Sequence, residues 1–235
     1  MQRELNSRLL SLVLGAFFYV GLMSGCRKAT PPPPADRYQM GRIGSRLDHG
    51  LEGLISALVS NPTFRDPSLS SEAAEQKFVA MMSGVKADLD HDARVFGNSQ
   101  KHLKLEPFEW TDTVGGQVKW VFGYRLGNGP RKIAFIAHLD TVPPGEGWTR
   151  KDPFDAYTED REVNGRRIEF IVGRGALDDK GPAVVGLQVM HALAVRFDSE
   201  PEALKGVTFE LILDTSEETG MSTPHYLEVV GAPEV

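Results

Sequence analysis

Three short runs concentrate residues able to bind a metal or move a proton. They are His138-Leu139-Asp140-Thr141-Val142-Pro143, Gly173-Arg174-Gly175 through Asp178-Asp179-Lys180-Gly181, and Asp214-Thr215-Ser216-Glu217-Glu218-Thr219-Gly220. Imidazole and carboxylate are good zinc ligands. In His138-x-Asp140 the two side chains share a face if the strand continues, because strand side chains alternate. A carboxylate beside a ligating histidine can accept the hydrogen bond of its second ring nitrogen, which fixes the tautomer and raises basicity. Asp140 is therefore expected to support His138 rather than to bind metal. Asp178 and Asp179 lie at a glycine-rich turn from strand to helix, where the backbone can take unusual angles. The adjacent Glu217 and Glu218 can divide the labour, one binding metal while the other takes a proton. Each run alone has a plainer reading. A His-x-Asp is common, an Asp-Asp-Lys-Gly suits a helix start where the dipole favours acidic residues, and a Glu-Glu pair suits exposed surface. Their joint appearance after strands carries the weight.

The elements that must hold these runs can be read from periodicity. Residues 38–59 are helix-like, with Leu47, Leu51, Leu54 and Leu58 on one face. Ser70 or Ser71 can cap a second helix over 72–88, carrying Phe78, Met81, Met82 and Val85. Residues 117–126 alternate, with Val118, Trp120, Phe122 and Tyr124 on one face of a strand. Residues 133–139 form an apolar run suited to a strand buried on both faces. Residues 168–172 form a short strand after a turn at Asn164-Gly165. A buried helix is expected over 182–196 and a strand over 207–213. Thr223-Pro224 opens a last helix, with threonine as N-cap and proline first in the helix. Strands mixed with helices give an α/β fold around a central sheet. All three polar runs then fall at carboxyl ends of strands, where open α/β sheets bind ligands. His49, His91 and His102 read as surface histidines, and His191 as a packing residue in the buried helix.

The N-terminus has a different character. Arg3 and Arg8 precede an apolar run from Leu9 to Met23, which ends Leu22-Met23-Ser24-Gly25-Cys26. This has the order of a signal peptide, over residues 1–25. Small residues before a lone cysteine resemble a bacterial lipobox, so Cys26 is the expected lipidation site. The expected location is the bacterial cell envelope, with the chain held to a membrane by its lipid. Thr30-Pro31-Pro32-Pro33-Pro34 favours an extended spacer. Residues 26–37 thus read as anchor and linker, and 38–235 as folded domain. Cys26 is the single cysteine of the 235 residues, so no internal disulfide forms. With 41% hydrophobic residues, 25% charged residues and a formal net charge of -6, the composition is globular and argues against a nucleic-acid partner.

Taken together, the three runs resemble the signature of the co-catalytic zinc metallopeptidases. That family includes carnosinase-like dipeptidases, aminoacylase, succinyl-diaminopimelate desuccinylase and a glutamate carboxypeptidase. The resemblance extends from about residue 40 to the end. The loop Pro144-Gly145-Glu146-Gly147-Trp148 through Asp152-Pro153-Phe154 looks typical of the dipeptidase branch. The resemblance implies a mixed central sheet with flanking helices and two zinc ions. It implies that His138 binds one zinc, Asp178 bridges both, Glu218 is a ligand, Glu217 is the general base and Asp140 orients His138. It also implies a cis peptide between Asp178 and Asp179. Arg174 and Lys180 are expected to support the loop. The implied reaction is hydrolysis of the amide bond of a dipeptide or N-acyl amino acid, by water whose proton Glu217 takes and returns to the leaving amine.

The same resemblance calls for more than these residues hold. It implies a further carboxylate some tens of residues after Glu218, a histidine near the end of a longer chain, and a lid domain. His225 follows Glu218 too soon to be that histidine. The expectation is therefore an incomplete catalytic domain that alone binds zinc weakly and shows no measurable hydrolysis. The competing expectation is an inactive lipoprotein fragment or binding module.

Overall fold

The computed structural model describes residues 50–233, except Ser99, His102 and Lys151. The chain divides into two units, Met1–Arg46 and Leu47–Val235, and every described residue belongs to the second. The signal-like run, Cys26, the proline-rich spacer, Tyr38, Leu47, His49 and His102 lie outside the described residues. Among the described residues, no helix is long and apolar enough to cross a membrane.

The expected first helix is present over its described part, 50–59, with Ile55, Leu58 and Val59 buried. Helix α1, Ser71–Gly97, starts as expected, with the Ser70 side chain accepting from the Ala73 amide at 3.3 Å. It runs nine residues past the expected end at 88, because Leu89 and Ala93 continue the buried stripe of Phe78, Met82 and Val85. The acidic Asp88-Leu89-Asp90-His91-Asp92 segment disguises this. Asp90 is turned towards the sheet, where it accepts a hydrogen bond from the Tyr124 hydroxyl at 2.8 Å.

Six strands follow: β1 Glu106–Val114, β2 Gln117–Leu126, β3 Arg131–His138, β4 Tyr157–Val163, β5 Arg166–Val172 and β6 Val207–Asp214. Helices α2, Lys180–Phe197, and α3, Thr223–Val230, complete the set of longer elements. The main sheet has the order β1-β2-β6-β3. Strands β1/β2 and β2/β6 are antiparallel, whereas β3 and β6 are parallel. The fold is the expected mixed central sheet with flanking helices. On one face Val121, Ile212 and Tyr226 of α3 form a buried cluster. On the other, α2 packs on β3 and β6, so closely that a Cβ on Gly186 would stand 2.8 Å from Leu211.

Several expectations need correction. Strand β2 is buried on both faces from Lys119 to Tyr124, since helices cover both, rather than on one face. Strand β3 is less covered than its apolar sequence suggests, for Ile136 is 52% exposed. Strand β6 is the strand buried along its whole length. Its Glu210, 1% exposed, is paired with Arg125 at 2.7 Å and Lys132 at 3.7 Å. Strand β5 does not join the main sheet. It pairs with β4 in a separate two-stranded hairpin, turned at Asn164-Gly165, where φ is +52° and +72°. Strands β1 and β4, largely polar and exposed, carry too little apolar alternation to be seen in sequence.

The last helix begins one residue earlier than expected. Ser222 is the N-cap and Thr223 the first helical residue. Its free amides are satisfied from elsewhere. The Asp214 carboxylate, at the end of β6, accepts from Ser222 N at 2.8 Å and Thr223 N at 2.6 Å. A buried carboxylate at a helix N-terminus both satisfies these donors and complements the dipole.

Candidate active site

Parallel pairing of β3 with β6 sets His138 directly opposite Asp214 at the carboxyl ends of the two strands. The first polar run leaves β3 here and the third leaves β6. The second run arrives differently from the sequence expectation. It follows the hairpin strand β5 and reaches the site as the turn that opens α2. The cis peptide between Asp178 and Asp179 is present.

His138 is 9% exposed, and its two nitrogens have different partners. Nδ1 lies 3.1 Å from the Asp140 carbonyl oxygen and 3.4 Å from the Asp140 carboxylate. Both are acceptors, so Nδ1 carries a proton and Nε2 is turned to the open side. There Nε2 meets Asp178 Oδ1 at 3.0 Å. Donor atoms of His138, Asp178 and Glu218 all lie within 4.8 Å of one another. Atoms bound tetrahedrally to one zinc at about 2.1 Å sit about 3.4 Å apart, so these side chains would close in by a small movement to grip an ion. Exposure agrees with a site open to solvent, since Asp178 is 77% exposed and Glu217 and Glu218 are exposed.

The electrostatics favour a cation. Burial works against a charged His138, yet the hydrogen bonds and charges of Asp140, Asp178 and Asp179 outweigh it and push its pKa up to about 9. Burial raises the Glu218 carboxyl, and the neighbouring Asp140, Asp178 and Glu217 raise it further, against His138. Asp179 is likewise raised, by burial and then by Asp178 and Glu217, although its Oδ2 accepts from the His138 amide at 3.1 Å. Carboxylates crowded around one imidazole repel each other, and positive charge among them relieves that repulsion. An imidazole whose Nδ1 proton is held by Asp140, set among carboxylate oxygens, is a donor set that suits zinc.

Asp140 does more than the sequence suggests. Its carboxylate is 1% exposed and accepts from the backbone amides of Glu217 at 3.0 Å and Glu218 at 3.1 Å. One side chain therefore holds the histidine and the turn of both glutamates together. Thr63 is a residue that sequence reasoning missed. Its hydroxyl donates to the Leu139 carbonyl at 2.6 Å, and its carbonyl accepts from the Thr141 amide at 2.9 Å. This pins the loop on both sides of Asp140.

Lys180 and Arg174 support the loops, as expected. Lys180 is fully buried and its Nζ donates to the carbonyls of Asn61 at 2.6 Å and Leu58 at 2.8 Å. Arg174 donates to the Pro144 carbonyl at 2.7 Å and lies over the Trp148 ring. Gly181 follows because its position excludes a side chain: a Cβ there would stand 2.1 Å from the Ala176 carbonyl oxygen. His191 is buried in α2 and stacked on Phe96, and His225 lies in α3. Neither belongs to the cluster.

The sheet sets ligand-type side chains at the carboxyl ends of two adjacent parallel strands, where open α/β sheets bind ligands. Residues 134–234 match the model of Peptidase family M20/M25/M40. The chain is 34% identical over 111 residues to a Beta-Ala-Xaa dipeptidase of Lactobacillus delbrueckii, covering 47% of this chain and 21% of that protein. It is 49% identical over 67 residues to a succinyl-diaminopimelate desuccinylase of Novosphingobium aromaticivorans, covering 28% of this chain and 16% of that one. The chain thus spans about a fifth of the length of these curated relatives. Among solved structures, human carnosine dipeptidase 1 matches with a TM-score of 0.53 and 22% identity, over 85% of this chain and 38% of that one, a likeness of fold.

Proposed function

We propose that this chain carries the first part of the active site of a zinc-dependent amidohydrolase acting on dipeptides or N-acyl amino acids. The observation that carries this is the convergence of His138, Asp178 and Glu218 to within 4.8 Å beside Glu217. The names of the relatives support the substrate class, one being a dipeptidase and another a desuccinylase. In this reading His138, Asp178 and Glu218 would hold the zinc. Bound zinc would polarise the amide carbonyl and acidify water. Asp140 keeps the proton on His138 Nδ1 and so presents Nε2 as a ligand. Glu217, exposed beside Glu218, takes the proton of the attacking water and delivers it to the leaving amine. The test is to assay a version of the protein extended to the length of its relatives, with zinc, against β-alanyl and α-dipeptides and N-succinyl and N-acetyl amino acids. Hydrolysis abolished by a chelator and restored by zinc supports the reading, and chelator-resistant hydrolysis contradicts it.

We further propose that the protein is anchored to the bacterial envelope by a lipid on Cys26. The support is the apolar run Leu9–Met23 followed by Ser24-Gly25-Cys26. Cells given a palmitate analogue should label the wild-type protein and not Cys26→Ser, and equal labelling would remove the proposal.

A further inference from the structure

One largely buried ion pair touches the glutamate turn at hydroxyls, where Asp140 holds its amides. Arg65 lies in the segment between the helical residues 50–59 and α1, and its side chain is 11% exposed. Its guanidinium makes a two-point pair with Glu75 of α1, through Nε at 2.6 Å and Nη2 at 3.1 Å. It lies 3.9 Å from the centre of the Phe78 ring. The remaining donors go forward. Nη1 donates to the Thr219 hydroxyl at 2.9 Å, and Nη2 reaches the Ser216 hydroxyl and the Val118 carbonyl at 3.4 Å. Glu75 in turn accepts from the Val118 amide at 2.8 Å, which fixes the pair to β2.

Ser216 and Thr219 bracket the short 3-10 turn Glu217–Thr219. Its own backbone bonds are few: Thr219 N donates to Ser216 O at 3.2 Å, Gly220 N to Glu217 O at 3.5 Å and Met221 N to Ser216 O at 2.6 Å, and the Glu217 and Glu218 amides turn outward from it. Its amides are held by Asp140, while its two flanking hydroxyls are held by Arg65. We infer that Arg65 is a positioning residue for Glu217 and Glu218, fixing the turn through Ser216 and Thr219. This inference rests on the proposed reading of the site. Arginine suits the task because its planar fork can serve Glu75 and the two hydroxyls at once, backed by an aromatic ring. A lysine, with a single point charge, cannot. The distribution of contacts separates this from a merely structural ion pair. A structural pair needs only Glu75, whereas here contacts go to both ends of the turn that carries the glutamates.

The test uses the full chain with Arg65→Lys, which keeps the charge, and Thr219→Val, which leaves the Arg65–Glu75 pair in place. Amide hydrogen exchange, read by mass spectrometry, needs no metal. Both variants should speed exchange in the 216–220 segment about tenfold and leave α2 unchanged. Cobalt(II), added alone as a spectroscopic probe, should bind Arg65→Lys about tenfold more weakly and with a changed visible absorption. The double variant should be no worse than Arg65→Lys, since both changes break one connection. Exchange in 216–220 at wild-type rate in both folded variants would overturn the inference. So would equal acceleration in every element, the mark of general destabilisation. If wild type binds no cobalt, the metal reading fails while the exchange result still decides the role of Arg65.

Discussion

In a version of the protein extended to the length of its relatives, replacing Glu217 by glutamine should leave zinc bound and remove turnover, whereas replacing Glu218 by alanine should remove both. The side chains are adjacent and both exposed, but they are not equivalent. Glu218 shares a 4.8 Å cluster with His138 and Asp178, and Glu217 is not a member of it. Glutamine keeps the size of Glu217 and its backbone amide, so the hydrogen bond to Asp140 persists. What is lost is a group that can accept a proton, an effect of about 10²–10⁴ in rate. Glu218→Ala removes one of three clustered ligand groups and should weaken zinc by at least about 100-fold, more than the loss of a supporting contact costs. Zinc content after gel filtration, read beside hydrolysis of the best substrate, separates the two. A Glu217→Gln protein with wild-type turnover would end the general-base assignment.

The second large effect is expected at Asp140. Alanine there strips the acceptor from the amides of Glu217 and Glu218 and removes the carboxylate next to His138 Nδ1. Each donor left without a partner in a buried setting costs about 1–3 kcal/mol. The loss of Asp140 should therefore destabilise the zinc-free protein by about 3–5 kcal/mol. Relief of repulsion from Asp178 and Glu218 opposes this, but those groups face solvent and are screened. Zinc affinity should fall as well, by about 10- to 100-fold, as His138 loses its orienting partner. Denaturant unfolding without metal measures the first effect. A midpoint equal to wild type would show that the turn of glutamates holds its shape without Asp140.

Asp140 also shows how far the sequence could be read. Its position two residues after His138 suggested a partner for the imidazole, which a period-two rule can supply. Its larger contact, with the amides of Glu217 and Glu218, joins residues 77 and 78 positions apart. No local pattern encodes that. The same holds for Thr63 and Arg65, whose partners lie 76 and 154 positions away. Strands β3 and β6 and helix α2 were legible from their apolar runs, although on β3 the run overstates the burial. The edge strand β1 was not, because only Phe108 and Trp110 alternate as apolar residues and the strand is otherwise mostly polar. Placing the second run after a strand of the main sheet was wrong for a related reason: Ile168 to Val172 reads as strand, but only pairing with β4 reveals the separate hairpin. The His-x-Asp and Glu-Glu residue types were legible as chemistry. Their convergence required the parallel pairing of β3 with β6.

The central claim is that His138, Asp178 and Glu218 form a metal site. Zinc titration of the chain against a chromophoric chelator tests it most directly, with His138→Ala and His225→Ala beside wild type. His225 lies on α3, outside the cluster. The account predicts that His138→Ala, which removes a ligand, weakens zinc binding by at least about 100-fold, more than the loss of a supporting contact costs, while His225→Ala matches wild type. Equal zinc affinity in wild type and a folded His138→Ala protein would contradict it.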